Sequence, residues 1–295
     1  MGNGETIELG DGRTLGFDDV GDPAGVPVLF VHGTPDSRRA RHPDDGIPAR
    51  LGVRLVAVDR PGSGLSSAHP SGTVGSFADD VIALADHLGI AAWRTFGWSA
   101  GSVYALAAAA RHPDRVVRVA VAAGLVPFDA YTTPNILDDA DGGRWMTAEL
   151  GEELGAKGFA EAAAPMLVPY PCDHALAIEH VLESADPLRR TELEAVDGAA
   201  DAMANGLVDS VSGGLDGVTR DLELQVEPPD VDWDDVSCPV DLVYGERDAT
   251  APPSFGRWWA TRLRWAELDV VEGAGHLVAL THWEQILRRL ASPGR

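Results

Sequence analysis

The stretch Thr95-Phe96-Gly97-Trp98-Ser99-Ala100-Gly101 constrains this chain more than any other. An apolar run stops at a serine set between two glycines and passes at once into an alanine-rich segment, residues 102–112, which ends before Pro113. Strand followed directly by helix leaves the serine on the corner itself. In a G-x-S-x-G corner a side chain on either flank collides with neighbouring backbone, and glycine alone leaves room. Gly97 and Gly101 hold those two places.

The rest of the chain supplies a sheet for that corner. Residues 6–9 and 13–20 read as a strand pair turning at Gly10-Asp11-Gly12. Residues 28–31 and 53–58 are short continuous apolar runs, as expected of strands covered on both faces. Each runs into a loop, His32-Gly33-Thr34-Pro35 in the first case and Asp59-Arg60-Pro61-Gly62-Ser63-Gly64-Leu65-Ser66 in the second. Residues 76–88 carry apolar side chains at helical spacing and stop at Gly89. Residues 93–96, 116–123, 240–244 and 267–271 complete the strands, with helices over 254–263 and 283–290. The alternation predicts an α/β fold with a mostly parallel, doubly wound, eight-stranded sheet.

Between residues 128 and 235 the alternation is lost. That segment holds 25 acids and 5 bases, whereas the remainder holds 21 acids and 18 bases, so most of the formal charge of -23 lies in it. Residues 159–167 and 175–184 are its clearest helices, with Asp186-Pro187 and Ser212-Gly213-Gly214 as breaks. Trp145, Phe159, Ile178 and Met203 give it apolar surface to pack with. The expected organisation is a sheet core from residues 1–127 and 236–295, with an acidic helical cap, 128–235, over the sheet's active edge.

Charge and composition narrow the function. The acidity argues against a nucleic-acid partner or an anionic membrane surface. No apolar run reaches the length of ~18 residues that a membrane span requires, and residues 1–13 lack the basic-then-apolar order of a secretory signal. A cytoplasmic protein acting on a small molecule is expected. Cys172 and Cys238 match no metal or redox spacing and read as free thiols. No metal or nucleotide motif is visible, and no cofactor is expected.

A serine on such a corner needs a base within reach and an acid to orient that base. The strand at 240–244 leads into Gly245-Glu246-Arg247-Asp248, and the strand at 267–271 into Gly273-Ala274-Gly275-His276. Both loops follow strand carboxyl ends, where open parallel sheets place their sites. Ser99, Asp248 and His276 are the expected catalytic residues. Asp129, just after the strand at 116–123, is the rival acid, with Glu246 read as structural; His32 and His282 are the rival histidines.

On these motifs the chain resembles the α/β-hydrolase superfamily along nearly all of its length outside the cap. The resemblance implies a serine hydrolase with an acyl-enzyme, and an oxyanion hole made by the backbone N–H groups of Thr34 and Ala100. Thr34→Pro is then expected to be severe and Thr34→Ala mild. It also gives His32 a loop-shaping role. Serine at position 99 sets aside dehalogenases and epoxide hydrolases of this superfamily, which use aspartate. Esters, lactones or thioesters are the first expectation; a proline-type aminopeptidase or amidase, a cofactor-free perhydrolase and a non-catalytic ligand receptor are the alternatives. The acidic cap predicts an uncharged or cationic substrate.

Overall fold

In the computed structural model, which describes residues 4–292, the two amino-terminal runs form an antiparallel pair, β1 (Glu5–Glu8) and β2 (Thr14–Gly21). The apolar runs become β3 (Val26–Val31) and, after the short helix α1 (Gly46–Arg50), β4 (Val53–Val58). Helix α2 (Val74–His87) starts two residues before the expected position because Thr73 caps it: its hydroxyl accepts from the Ser76 N–H, and the Ser76 hydroxyl accepts from the Thr73 N–H. Strand β5 (Trp93–Trp98), helix α3 (Gly101–Arg111) and strand β6 (Val116–Ala122) follow. After a helical segment come β7 (Val240–Gly245) and β8 (Ala266–Val271), with β7 paired between β6 and β8.

The strands lie in the order β1-β2-β4-β3-β5-β6-β7-β8. Only the β1–β2 and β2–β4 pairings are antiparallel; every pairing from β4 to β8 is parallel. The runs at β3, β4, β5 and β6 are buried almost throughout because helices cover both faces of the sheet. Phe30, Phe96 and Trp283 meet behind the centre of the sheet with ring centroids 4.9–5.3 Å apart. All the parallel strands end on one edge, and the loops carrying residues 32–35, 99, 248 and 276 leave from it.

The segment between β6 and β7 carries five helices beyond a 3-10 turn at Phe128–Thr132. In order they are α4 (Gly142–Leu167), broken at Gly155, α5 (His174–Glu183), α6 (Pro187–Ala195), α7 (Ala199–Ser210) and α8 (Asp216–Val226). Sequence periodicity marks only parts of α4 and α5. Helix α7 buries mainly small residues, Ala202, Ala204 and Gly206, with Met203 and Leu207 as its only large buried apolar side chains, so its apolar stripe is short. Part of the segment's acidity is capping chemistry: Asp141, Asp173 and Asp186 each accept a hydrogen bond from a first-turn N–H of α4, α5 and α6. Helices α4, α5, α7 and α8 share a second apolar cluster in which Phe159 and Ala163 meet Leu207, Leu222 and Val226, while Leu193 of α6 joins the main core. After β7 the chain completes α9 (Pro253–Arg262), α10 (Val278–Thr281) and α11 (Trp283–Ala291).

Helix α8 meets the loop after β4 by close backbone approach. A Cβ at Gly217 would lie 2.3 Å from the Gly62 carbonyl oxygen, so neither surface can hold a side chain there. Gly217→Ala should therefore lower stability by about 1–3 kcal/mol, read as a shift in urea midpoint. Gly213→Ala, where a Cβ meets nothing within 4 Å, should stay within about 0.5 kcal/mol of the parent.

Candidate active site

Ser99 sits at the turn between β5 and α3 with φ +53, a left-handed conformation that costs a non-glycine residue about 1–3 kcal/mol. The backbone around it fixes that conformation. Ser99 N–H donates to the Ala122 carbonyl at 3.0 Å, and the Ser99 carbonyl accepts from Ser102 N–H at 3.1 Å and Leu125 N–H at 3.2 Å. The flanking glycines are sterically required: a Cβ at Gly97 would lie 2.5 Å from Ser102 Cα, and one at Gly101 would lie 2.3 Å from the Val31 carbonyl oxygen. On the other side Gly33 closes in on Ser99, where a Cβ would begin 3.2 Å from Ser99 Cβ.

His276 Nε2 lies 3.2 Å from Ser99 Oγ, and its Nδ1 lies 2.9 Å from Asp248 Oδ2. A carboxylate on Nδ1 requires the Nδ1–H tautomer, which leaves Nε2 free to accept the serine proton. Asp248 is 3% exposed, and its other oxygen accepts from the N–H groups of Thr250 at 2.9 Å and Ala251 at 3.0 Å. Trp98, next to Ser99 in the chain, donates from Nε1 to the His276 carbonyl at 3.2 Å. An imidazole held in this way can take a proton from the serine as it attacks a carbonyl carbon.

The rival residues lie elsewhere. Asp129 is exposed on the 3-10 turn. Glu246 accepts from the Gly273 N–H at the foot of the histidine loop, and His282 meets the side chain of Thr281. His32 is fully buried between the Gly33 carbonyl, which takes its Nδ1–H, and the Arg60 N–H, which donates to its Nε2 at 3.0 Å. Burial holds its pKa well below the ordinary value, so the ring is a neutral brace joining two loops.

Thr34 and Ala100 line the same cavity as Ser99. Among the described residues their N–H groups meet no acceptor, as an oxyanion site requires. The Thr34 side chain is not idle, however. Its hydroxyl bonds Asp221 of α8 and accepts from Arg60 Nη2 at 2.9 Å. Asp221 also pairs with Arg60 and accepts from the Tyr104 hydroxyl at 2.9 Å. Arg60 in turn donates to the Gly33 carbonyl at 2.6 Å and lies 4.7 Å from the Tyr104 ring centroid. Thr34→Ala would break this hub, so it is not the mild change that the backbone donor alone suggests.

Helix α6 holds the opposite side. Glu192 accepts from Gly275 N–H at 2.6 Å and Leu277 N–H at 3.2 Å, bracketing His276 in a hydrogen-bonded loop. Asp221, Glu192 and Arg60 were not singled out by sequence. Their signal is long-range pairing, which no local pattern carries.

Ser99 and His276 open into a cavity of about 360 Å3 between the sheet edge and the helices that follow β6. Its wall includes Leu125, Met203, Leu207 and Leu222. The segment's excess of acid does not reach this wall: of its 25 acids only Asp141 lines the cavity, against Arg144 and Arg189 among its 5 bases. His180 also lines it. Among the described residues no group of His, Cys, Asp and Glu could hold a metal ion, and no helix is long and apolar enough to cross a membrane.

Comparison with known proteins agrees with this geometry. The model of the alpha/beta hydrolase family matches residues 28–289. A pimeloyl-[acyl-carrier protein] methyl ester esterase of Chromobacterium violaceum is 30% identical over 83% of this chain and 88% of its own. A proline iminopeptidase of Arabidopsis thaliana is 34% identical, but over only 37% of this chain and 30% of its own. Among solved structures, E-2-(acetamidomethylene)succinate hydrolase superposes with a TM-score of 0.71 at 21% identity, over 98% of this chain and 97% of that one.

Two expectations follow from the braces. Asp221→Asn leaves the Arg60 charge buried without its carboxylate, a change that costs about 3–5 kcal/mol, measurable in urea unfolding. Folded His32 stays neutral, whereas the unfolded chain takes up a proton below a pKa of about 6.5. Its contribution is therefore intact above that pH and falls as pH drops, by up to about 1.4 kcal/mol per unit. Urea midpoints between pH 7.5 and 5.5 should slope less in His32→Gln than in the parent.

Proposed function

Because the chain belongs to the alpha/beta hydrolase family, we propose that it is a serine hydrolase cleaving a carboxylic ester through an acyl-enzyme. The observation that carries this reading is the unbroken chain of contacts from Ser99 through His276 to Asp248 at the mouth of an apolar-walled cavity. Ser99 Oγ attacks the ester carbonyl while His276 Nε2 takes its proton; Asp248 steadies the imidazolium. The tetrahedral oxyanion lies against the N–H groups of Thr34 and Ala100. His276 returns the proton to the leaving alkoxide, and a water activated by the same imidazole then hydrolyses the acyl-serine. The pimeloyl methyl ester esterase relative acts by its name on an ester and matches most of this chain, which supports the choice of ester over amide.

The aminopeptidase reading loses ground in the cavity. A substrate ammonium needs an ionised, unengaged carboxylate, yet Asp141 accepts from the Arg144 N–H and the Thr250 hydroxyl, the other lining acid, Asp36, accepts from the Ser37 N–H and is pushed toward its neutral form by burial, and two arginines share the wall. The preference for an uncharged or cationic substrate, drawn from the segment's net charge, is not retained for the same reason.

A fluorophosphonate probe should label the parent at Ser99 and fail on Ser99→Ala. Hydrolysis of short p-nitrophenyl esters should fall by about 10⁴-fold or more in Ser99→Ala and His276→Ala. Asp248→Asn should cost about 10⁴-fold, and Asp129→Asn should stay within about two-fold, since an exposed side chain off the site supplies no transition-state interaction. Equal labelling of the parent and Ser99→Ala would remove the reading in favour of a ligand receptor.

A further inference from the structure

The cavity holds two cations that no described residue neutralises by contact. Arg144 is the third residue of α4 and Arg189 the third residue of α6. A first helical turn is the position where the helix dipole disfavours positive charge. Each helix is capped by an aspartate, Asp141 or Asp186, yet that carboxylate bonds the arginine's backbone N–H. Among the described residues no hydrogen bond or ion pair engages either guanidinium, and Nε of both and Nη1 of Arg144 are shielded from solvent without a partner. Gln225 Nε2, on a third side of the same cavity, is likewise buried and unpartnered.

The carboxylates near Arg189 are committed elsewhere. Asp248 holds His276, Thr250 and Ala251, and Glu192 holds the backbone of Gly275 and Leu277. Asp36 accepts from the Ser37 N–H, and burial pushes its carboxyl well above the usual range, toward the neutral form. Burial also draws Arg189 below its ordinary value despite Asp186, Asp248, Asp36 and Glu192 around it. Unpaired buried polar groups are uncommon in folded proteins, and a few polar groups converging on a cavity are what fixes the orientation of a bound ligand.

We infer that Arg144 and Arg189 bind a carboxylate carried by the substrate, so that the ester opened at Ser99 belongs to a carboxylate-bearing molecule such as a half-ester of a dicarboxylic acid. The inference rests on the serine-hydrolase reading for the reaction but not for the binding. A monoanion suits the wall, because Asp141 remains beside Arg144 and Asp248 beside Arg189. Guanidinium nitrogens offer a carboxylate two parallel donors, and Gln225 adds an amide donor for a neighbouring oxygen. Apolar Leu125, Met203, Leu207 and Leu222 enclose the chain between the two ends.

The test uses monomethyl succinate, glutarate and adipate against methyl butanoate, pentanoate and hexanoate. In Ser99→Ala, calorimetry should detect a half-ester and not its neutral partner, and adding Arg144→Gln or Arg189→Gln should weaken binding by about 10- to 100-fold, with lysine at either position restoring part of it. In the Ser99-containing protein the ratio of kcat/KM for half-ester over neutral ester should fall by a similar factor in each glutamine variant. Free-protein melting temperatures should hold or rise, since each substitution removes an unpaired cation. Failure of every half-ester to bind, unchanged affinity in the glutamine variants, or a lowered melting temperature with an unchanged ratio would overturn the inference. Half-ester binding without turnover of any methyl ester and without fluorophosphonate labelling would instead overturn the hydrolase reading and leave the arginine site standing.

Discussion

The close packing of backbone around Ser99 is the constraint on which the active edge depends. Gly97 lies against Ser102, Gly101 lies against the end of β3, and Gly33 lies against Ser99 itself, so three elements meet with no side chain between them. That contact holds a serine at positive φ, presents its hydroxyl at the sheet edge and brings the Thr34 loop beside it. Local strain of this kind persists only where surrounding structure over-determines it. Three backbone hydrogen bonds to Ser99 from the adjoining strand, loop and helix supply that determination.

The segment between β6 and β7 is more than a lid resting on this edge. Asp221 joins it to the Thr34 loop directly and through Arg60, and to α3 through Tyr104; Glu192 joins it to the His276 loop, and Asp141 joins it to the Asp248 loop through Thr250. Every loop bearing a proposed catalytic group apart from the serine corner is thus tied to a carboxylate from that segment. Buried carboxylates hold loops well only when every donor is matched, and Asp221, with three partners, is the fullest case.

Charge in this protein is divided by position. Many of the segment's acids cap helices, brace loops or face solvent, while the cavity wall has two arginines for its one acid from the segment. Net charge governs the long-range field that an approaching molecule meets, and salt screens it over about 8 Å at physiological ionic strength. Selection inside the cavity depends on the few groups that touch the ligand, where water is excluded and each interaction is stronger.

Much of the fold was legible in the chain itself. Apolar runs gave the eight strands and glycine marked the corner, because strand burial and backbone clearance are local demands written into neighbouring residues. Ser99, Asp248 and His276 could be named as candidates since strand ends announce their loops, and the structure brings those three together while leaving Asp129 on the surface. Helices α6 and α7 were hidden, since α6 buries Glu192 beside Leu193 and α7 buries mostly small residues, whereas α8 does carry an apolar stripe at four-residue spacing, Val218, Leu222 and Val226. Arg144 and Arg189 did leave a trace, as rare bases three residues after a capping aspartate in an acidic segment. Which acids brace loops and which bases face the cavity was decided only by tertiary structure, because a side chain's partners depend on residues as far as 187 positions away along the chain, as between Thr34 and Asp221.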